Sequence, residues 1–271
     1  MKLAFSNLAW TKDQDDLVAP ILRGSGVSAI EIAPGKVWPD PACVPTAEAA
    51  AYRQWWEDEG LSIRAMQSLL FGHPEFALFG DSVSRSAMLG YLENILALAQ
   101  TLGVSVLVFG SPANRRRGEM SVEQAWGTAV TFFRALGERA AAYGTTVCIE
   151  ANAVEYGCDF VTTTDEAARL VKDVGSPGFG LHLDLGCMEL AQENVPSQIT
   201  KLGAMAKHFH LSSYKLAPIV DRKRADVEKL IQVFSKVQSQ AFLSVEMLNP
   251  TSDLCVIQSV LDEIAPCFKG G

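Results

Sequence analysis

The sequence predicts a single-domain α/β protein, a (β/α)8 TIM barrel that spans residues 1–271. Three observations lead to this prediction. Short apolar segments alternate with longer amphipathic ones, which is the pattern of parallel strands joined by helices. Eight such pairs follow one another, and glycines often stand between a helix and the next strand, where a helix should end. Eight pairs in a chain of this length favour a closed barrel over an open sheet.

The predicted strands are short and apolar, and the predicted helices are amphipathic. The strands cover residues 2–7, 27–33, 61–68, 104–109, 145–151, 178–185, 206–212 and 241–247. The helices cover residues 12–24, 46–59, 82–102, 120–143, 164–174, 194–204, 225–238 and 252–264. Two irregular segments, 34–45 and 71–81, follow strands two and three. Since the loops after the strands carry the active site in a barrel of this kind, we expect both segments to border it.

Composition restricts the class of protein. Hydrophobic residues make up 48% of the chain, which argues against intrinsic disorder, and the net charge is −8. An acidic chain lacks the overall basic surface that nucleic acids require, so we expect no nucleic-acid partner. Basic residues cluster only at 115–117 and 222–224, and runs of this kind usually lie on solvated loops.

Cysteine usage and hydropathy predict a cytoplasmic protein. The six cysteines form no CxxC pair and no disulfide-type spacing, which suits a reducing compartment. The first ten residues are too short and polar for a signal peptide, and no apolar run reaches the roughly 18 residues that span a bilayer. We therefore expect no membrane partner. No P-loop or GxGxxG pattern is present either, so we expect no nucleotide cofactor.

Metal-competent side chains stand at the ends of the last four predicted strands. Strand five ends with Glu150, strand six with Asp184, strand seven with His210 and strand eight with Glu246. Catalytic groups of barrel enzymes sit at these strand ends. If the alternating faces that carry these residues point inward, all four side chains line one pocket.

A divalent cation accounts for three carboxylates in one apolar pocket. Like charges would otherwise raise the pKa of at least one carboxyl group strongly. Three oxygen ligands and one imidazole suit Mn²⁺, Co²⁺ or Mg²⁺, and Zn²⁺ stays open. The competing interpretation is that Glu150 and Glu246 only pair with basic side chains. It is the weaker interpretation, because four adjacent strands all end with a residue that can bind a metal. We predict a metal centre at Glu150, Asp184, His210 and Glu246.

At these residues the chain resembles the xylose isomerase-like barrel superfamily, which includes ketose 3-epimerases, hydroxypyruvate isomerase, inosose dehydratase and endonuclease IV. The matching segments are CIEAN with Glu150, LHLDLG with Asp184, HFHLS with His210 and SVEM with Glu246. The resemblance implies a sugar isomerase or epimerase in which the metal polarises a carbonyl and stabilises an enediolate. Glu150 and Glu246 would be the catalytic pair, one removing a proton and the other returning one.

The chain departs from the ketose 3-epimerases at two positions. Those enzymes carry a substrate-binding histidine three residues after the aspartate ligand, where this chain has Cys187. They also carry an arginine shortly after the histidine ligand, for which Lys215 or Arg222 would have to substitute. The departures leave the substrate open, and we expect a sugar or sugar phosphate.

Further polar and aromatic residues near strand ends are predicted substrate contacts. The set is Asn7, Glu31, Trp38, Gln67, His73, Asn152, Cys187, Lys215 and Arg115. Hydrogen bonding at the barrel rim, packing under a loop and capping of a loop are the competing interpretations. Arg115 would clamp a phosphate or carboxylate. His182 and His208 are expected one layer deeper, where they would support the ligands or belong to the core.

Three other functions compete with isomerisation. A metal-dependent dehydratase of a sugar or cyclitol would share the enolate chemistry and differ in the fate of the intermediate. An abasic-site endonuclease would need a zinc cluster and many histidines, whereas the chain has four. A non-catalytic sugar-binding protein would have no need for two glutamates facing one pocket. The resemblance also allows a homo-oligomer.

Overall fold

The computed structural model describes residues 1–219 and 224–268, and its sheet is a closed barrel of eight parallel strands. Each strand pairs with the next, and the eighth pairs with the first. The strands are β1 (Lys2–Ser6), β2 (Ala29–Ile32), β3 (Ser62–Met66), β4 (Val106–Phe109), β5 (Thr146–Ile149), β6 (Phe179–Asp184), β7 (Ala206–Leu211) and β8 (Phe242–Val245). The predicted (β/α)8 TIM barrel is confirmed.

Helices follow the strands and cover the outside of the barrel. They are α1 (Asp15–Gly24), α2 (Pro34–Val37), α3 (Thr46–Asp58), α4 (Ser82–Leu102), α5 (Val122–Ala142), α6 (Thr164–Val174), α7 (Leu185–Leu190), α8 (Val195–Leu202), α9 (Arg224–Val237) and α10 (Leu254–Ile264). The predicted bounds of α4 and α6 agree with the structure, and those of the other long helices shift by one to three residues. None of the helices in 1–219 and 224–268 is long and apolar enough to cross a membrane.

Side-chain caps explain why several helices begin where they do. Asp81 accepts a hydrogen bond from the backbone N–H of Ser84, and Ser121 accepts one from Gln124. Each cap satisfies one of the amide groups that the first helical turn leaves without an intrahelical partner. These residues end the loops after β3 and β4, so they fix where the mouth of the barrel stops and the outer layer starts.

Two short helices, α2 and α7, were not predicted. Helix α7 follows β6 without any loop, and its N-terminal cap is Asp184, whose Oδ1 accepts from the N–H of Cys187 at 2.6 Å. Six residues are too few for a recognisable helical period, which is why the pattern did not reveal it. Asp184 therefore serves the helix and faces the pocket at the same time.

Most residues of the strands are buried, whichever face of the sheet they occupy. All six residues of β6 are buried, because the barrel interior lies on one side and the helices on the other. This explains why the strands read as apolar runs in the sequence. It also means that a charged residue at a strand end lies inside the protein, at the edge of a large apolar core.

Candidate metal centre

Strands β6 and β7 bring the central pair of the site together. Their register sets Asp184 beside His210 and, one layer deeper, His182 beside His208. Residues two apart on a strand point to the same face, so the four side chains form two layers on one side of the sheet. Oδ2 of Asp184 lies 3.9 Å from Nδ1 of His210.

Glu150, at the end of β5, joins this pair. The ligand atoms of Glu150, His182, Asp184 and His210 all lie within 4.8 Å of one another, which is close enough to share one cation. Three of the four predicted ligands are in this group. His182 is the addition: its Nε2 lies 3.9 Å from Oε1 of Glu150, and its ring packs edge-on against His210 at 4.2 Å between centroids.

Glu246 borders the group from the side of β8. Its Oε2 lies 3.3 Å from Nδ1 of His210, and its Oε1 accepts a hydrogen bond from Nε2 of Gln67 at 2.8 Å. The backbone N–H of Glu246 donates to the oxygen of Leu211, which extends the β7–β8 pairing by one residue. The fourth predicted ligand is thus in contact with the histidine, although it is outside the group of four.

Glu31 fixes which nitrogen of His210 faces the pocket. Its Oε2 lies 2.9 Å from Nε2 of His210 and 3.1 Å from Nε2 of His208. Because Nε2 is taken by Glu31, Nδ1 of His210 is turned towards Asp184 and Glu246. That atom is buried and makes no hydrogen bond to any residue in the described ranges. A carboxylate that orients an imidazole from behind is the usual support of a metal-binding histidine.

The ionisation of Glu31 and His210 follows from this pairing. Burial alone would raise the pKa of Glu31, but the charges of His210 and His208 outweigh it and hold the pKa well below its usual range. Burial alone would lower the pKa of His210, but Glu31 and Glu246 raise it well above the usual value. His182 differs, since burial and its two histidine neighbours hold its pKa well below 6.5 and leave it neutral.

The carboxylates at the mouth repel one another. Burial, followed by the charges of Asp184 and Glu246, raises the pKa of Glu150 to about 8. Burial and Glu246 also raise the pKa of Asp184. A divalent cation would relieve both effects, because it favours the charged carboxylates. The donor set fits a cation at this place, as does Nδ1 of His210, which faces two carboxylates and makes no hydrogen bond to a described residue.

Two amide side chains each hold one oxygen of a glutamate. Nδ2 of Asn152 donates to Oε2 of Glu150 at 2.9 Å, as Gln67 does to Glu246 on the opposite side. The remaining oxygens, Oε1 of Glu150 and Oε2 of Glu246, face His182 and His210 respectively. Each glutamate thus presents one oxygen to the centre of the site and has the other fixed.

Cys187 lies at the pocket beside this network. The residue is buried, and its Sγ lies 3.8 Å from Nδ2 of Asn152. Burial, Asp184 and Glu150 raise the pKa of the thiol well above its usual value, so it stays neutral. A neutral thiol is a poor nucleophile and a weak hydrogen-bond partner. The position that carries a substrate-binding histidine in ketose 3-epimerases is thus nearly apolar in this chain.

Arg115 is fully buried against Glu150 and Asn152. Its Nη2 donates to the backbone oxygen of Glu150 at 2.7 Å and to Oδ1 of Asn152 at 2.6 Å. This placement favours a role in holding Glu150 over direct contact with a substrate phosphate. Asn7 has a similar internal use, since its Oδ1 accepts from the backbone N–H of Ala33 at 2.7 Å and ties the end of β1 to the end of β2.

Two predicted substrate contacts pack within their loops. Trp38 is 4% exposed; its Nε1 donates to Oε1 of Glu48 at 2.8 Å, and its ring packs edge-on against Tyr52. Nδ1 of His73 lies 2.8 Å from Oε1 of Glu75, and the ring packs against Tyr91. His73 also lines a cavity of about 320 Å³ between the loops that follow β3 and β4.

The loop after β7 carries Lys215 in a left-handed conformation, with φ of 54°. Its backbone N–H donates to the hydroxyl of Tyr156 at 2.9 Å, so this loop is pinned to the loop after β5. The ammonium group lies 5.1 Å from the ring of Tyr214. The other cation considered at sequence level, Arg222, lies outside the described residues.

A comparison with models of protein families shows which family the chain belongs to. A family model described as the xylose isomerase-like TIM barrel matches residues 21–263. The chain belongs to this family. A comparison of the sequence with curated proteins found no match.

Solved structures with the xylose isomerase-like TIM barrel fold include sugar epimerases and a dehydratase. The chain is similar to 3-keto-D-glucoside 4-epimerase from E. coli, with 15% identity, a TM-score of 0.79 and 98% of each chain covered. It is similar to an L-ribulose 3-epimerase, with 18% identity, a TM-score of 0.78, and 100% of this chain and 94% of that chain covered. It is also similar to a probable 3-DHS dehydratase from Bacillus anthracis, with 14% identity, a TM-score of 0.72, and 97% of this chain and 98% of that chain covered.

At these identities the similarity shows the xylose isomerase-like TIM barrel fold and leaves the reaction open. The sequence did not predict His182 as a possible ligand of the metal. A signal was present, because His182 stands two residues before Asp184 and shares its face. The sequence could not show that the ring would come within reach of Glu150.

Proposed function

We propose that this protein is a divalent-metal-dependent sugar isomerase or epimerase that moves a proton next to a carbonyl group. The cation would be held by Glu150, Asp184, His210 and Glu246, with His182 as a further donor. Two imidazoles in the donor set suit Mn²⁺, Co²⁺ and Zn²⁺ better than Mg²⁺, which prefers oxygen ligands.

One observation carries the proposal. Nδ1 of His210 is buried, makes no hydrogen bond to a described residue and faces the carboxylates of Asp184 and Glu246 at 3.9 and 3.3 Å. The other nitrogen of the same ring is fixed by Glu31 at 2.9 Å. A structural histidine would satisfy both nitrogens by hydrogen bonds in the fold, whereas this one keeps a nitrogen directed at two carboxylates.

The two glutamates have the arrangement that proton transfer needs. They come from strands β5 and β8, which are not neighbours, so they flank the pocket from different sides. The oxygen of each glutamate that faces a histidine would bind the cation, while the other oxygen, held by a single hydrogen bond from Asn152 or Gln67, keeps a lone pair to remove or return a proton. When bound, the cation supplies Lewis-acid polarisation of the carbonyl and stabilises the negative charge that develops on its oxygen.

The known proteins of this fold support the reaction class. Two of the similar structures are named as sugar epimerases, one acting on a 3-keto-D-glucoside and the other on L-ribulose. The nearly apolar Cys187 differs from the histidine of ketose 3-epimerases. We therefore infer a substrate without a hydroxyl group that must be hydrogen-bonded at that point.

Exchange with solvent tests the proposal. The purified protein loaded with Mn²⁺ is incubated in D₂O with ketoses, aldoses, their phosphates and keto-glycosides, and the products are followed by NMR. We expect deuterium at one carbon next to the carbonyl of one substrate, together with an isomer or epimer. Loss of water from that substrate instead would indicate a dehydratase, the activity named for one similar structure. No exchange with any of these substrates, despite stoichiometric Mn²⁺ binding, would contradict the proposal.

A further inference from the structure

A buried arginine, Arg115, contacts Glu150 but takes no direct part in the proposed proton transfer. Arg115 lies in the segment between β4 and α5 and has no exposed surface. Only its Nη2 is used, in the hydrogen bonds to the backbone of Glu150 and to the side chain of Asn152. Nε and Nη1 make no hydrogen bond within the described part of the chain.

A guanidinium group in this situation is costly for the fold. Removing a charge from water is unfavourable unless its donors are satisfied, and here two of the three nitrogens are not. An apolar side chain of similar volume would fill the same space without that cost. The stability of the barrel therefore does not explain an arginine at this position. The two hydrogen bonds of Nη2 indicate its role.

The contact with Asn152 determines the orientation of an amide. Arginine carries only donors, so the amide oxygen of Asn152 must face Arg115. The amide nitrogen is then turned towards Oε2 of Glu150 at 2.9 Å. Without Arg115, one of the two contacts that fix this amide is lost, and the hydrogen bond to Glu150 alone would hold it. Arg115 thus sets the polarity of the group that holds Glu150.

The start of the same segment makes room for the carboxylate. A side chain at Gly110 would place its Cβ 2.3 Å from Oε2 of Glu150, so the carboxylate occupies the space of the missing side chain. Ser111 follows in a left-handed conformation, with φ of 46°, and redirects the chain into the short turn that ends at Arg115. The segment from 110 to 115 therefore contacts Glu150 from two directions.

We propose that Arg115 is a positioning residue that, through Asn152, fixes the orientation of the Glu150 carboxylate so that Oε1 faces His182 and the centre of the site. The inference rests on the proposed function, because it assigns a purpose to the orientation of a proposed ligand. It replaces the sequence-level expectation that Arg115 binds a substrate anion.

Mn²⁺ binding tests this without any substrate. Titration calorimetry and electron paramagnetic resonance of free Mn²⁺ are applied to the full chain and to the variants Arg115→Met, Asn152→Ala and the double variant. The adjacent Arg116→Met is the matched control, since Arg116 is exposed and binds the oxygen of Gly157 instead. Thermal unfolding in chelator reports on the fold separately.

We expect each single variant to weaken Mn²⁺ binding by about 10- to 100-fold, the range found when a residue behind a metal ligand is removed. The double variant should bind no more weakly than the weaker single variant, because the two residues act in one chain of contacts. Arg116→Met should bind as the wild type does. A merely structural role would lower the unfolding temperature and leave Mn²⁺ affinity unchanged.

Wild-type affinity in Asn152→Ala, or losses that add up in the double variant, would overturn the inference. If Arg115→Met does not fold, the Mn²⁺ affinity of Asn152→Ala decides whether the inference stands, because this variant keeps the buried arginine and should fold. Failure of the wild-type chain to bind Mn²⁺ would overturn the proposed function itself. The two failures are therefore distinguishable.

Discussion

The two ends of the barrel differ in which residues adopt the left-handed backbone conformation. At the base, where helices lead into strands, the left-handed conformation is taken by glycine. These positions are Gly26, Gly60, Gly103, Gly144 and Gly175, with φ between 61° and 85°. At the mouth, between a strand and the main helix that follows it, side-chain-bearing residues take it as well. They are Ser68, Ser111, Val161, Gln192, Lys215, Leu216 and Ser252, with φ between 46° and 57°.

The difference separates stability from function. A left-handed conformation costs a residue with a side chain about 1–2 kcal/mol, and glycine avoids that cost. All seven of the non-glycine positions lie at the mouth, among the residues that the structure describes. Ser111 begins the turn to Arg115, and the oxygen of Val161 accepts from the backbone of Asn152. Strain of this kind persists where the surroundings hold it, and here it accompanies the segments that hold Glu150.

The largest expected effect comes from Glu246, a proposed proton carrier at the mouth. Glu246→Gln should lower turnover by about 10²- to 10⁴-fold, because the amide cannot carry the proton. The unfolding temperature should change little, since Gln67 can still hydrogen-bond to the new side chain. Steady-state kinetics and calorimetry measure both quantities. Glu138→Gln, on the exposed face of α5, is the control. Turnover within a few-fold of wild type would show that Glu246 is not a proton carrier.

Gly110→Ala, at the mouth, should have the next largest effect. The new methyl group would displace the Glu150 carboxylate, so we expect Mn²⁺ affinity to fall by about 10- to 100-fold. Gly127→Ala is the control: it lies in α5 with nothing within 4 Å of the new Cβ, and alanine favours a helix by about 1 kcal/mol. Calorimetric titration with Mn²⁺ compares the two. Equal affinities would mean that Glu150 tolerates movement.

The pH dependence of stability should reveal the crowding of acidic groups at the mouth. In the folded, metal-free protein the pKa of Glu150 is about 8, against 4.5 for an ordinary glutamate. Between these values the folded state retains a proton that the unfolded state loses, so stability contributed by Glu150 should fall as the pH rises from about 4.5 to about 8. Denaturant unfolding at several pH values in chelator measures this slope.

Two comparisons isolate the group responsible. Glu150→Gln should remove its share of the slope, because glutamine does not titrate. Saturating Mn²⁺ should also remove it, since the cation binds the deprotonated carboxylate. An identical slope in the wild type and in Glu150→Gln would mean that the carboxylate does not hold the proton.

The smallest effects concern the backbone itself. Gly26→Ala, at the base, should lower the free energy of unfolding by about 1–2 kcal/mol, since φ is 85° and no neighbour lies near the new methyl group. Ser252→Gly, at the mouth, should change it by about 0 to 1 kcal/mol in the stabilising direction. Urea unfolding measures both. If Ser252→Gly destabilises the protein as much as Gly26→Ala does, strain is not concentrated at the mouth.

Sequence reasoning succeeded where one local pattern decides the outcome. Strand and helix periods predicted the barrel, and glycines such as Gly26 and Gly103 marked the helix ends at the base. The strand ends predicted that Glu150, Asp184 and His210 would meet, because parallel strands of a barrel end at one mouth. Helix α7 was missed, since a helix of six residues that starts at a strand end has no period to detect.

Contacts between distant residues decided the rest of the site. Glu31 and His210 are 179 positions apart, and only their hydrogen bond shows which imidazole nitrogen faces the carboxylates. Arg115 was expected to be a loop cation at the pocket, but the turn after Ser111 buries it against Glu150 and Asn152. In each case the side chain has several chemically reasonable partners, and the packing of the barrel selects one.

The amino-acid sequence by itself determined the closed barrel, the face of each strand and the cluster of acidic and histidine side chains at the mouth, because these follow from periods of two and 3.6 residues and from glycine conformation. Only the tertiary structure decided how the ligand atoms are oriented. Their orientation depends on hydrogen bonds across the barrel, because a buried donor or acceptor needs a partner close in space, whatever the distance along the chain.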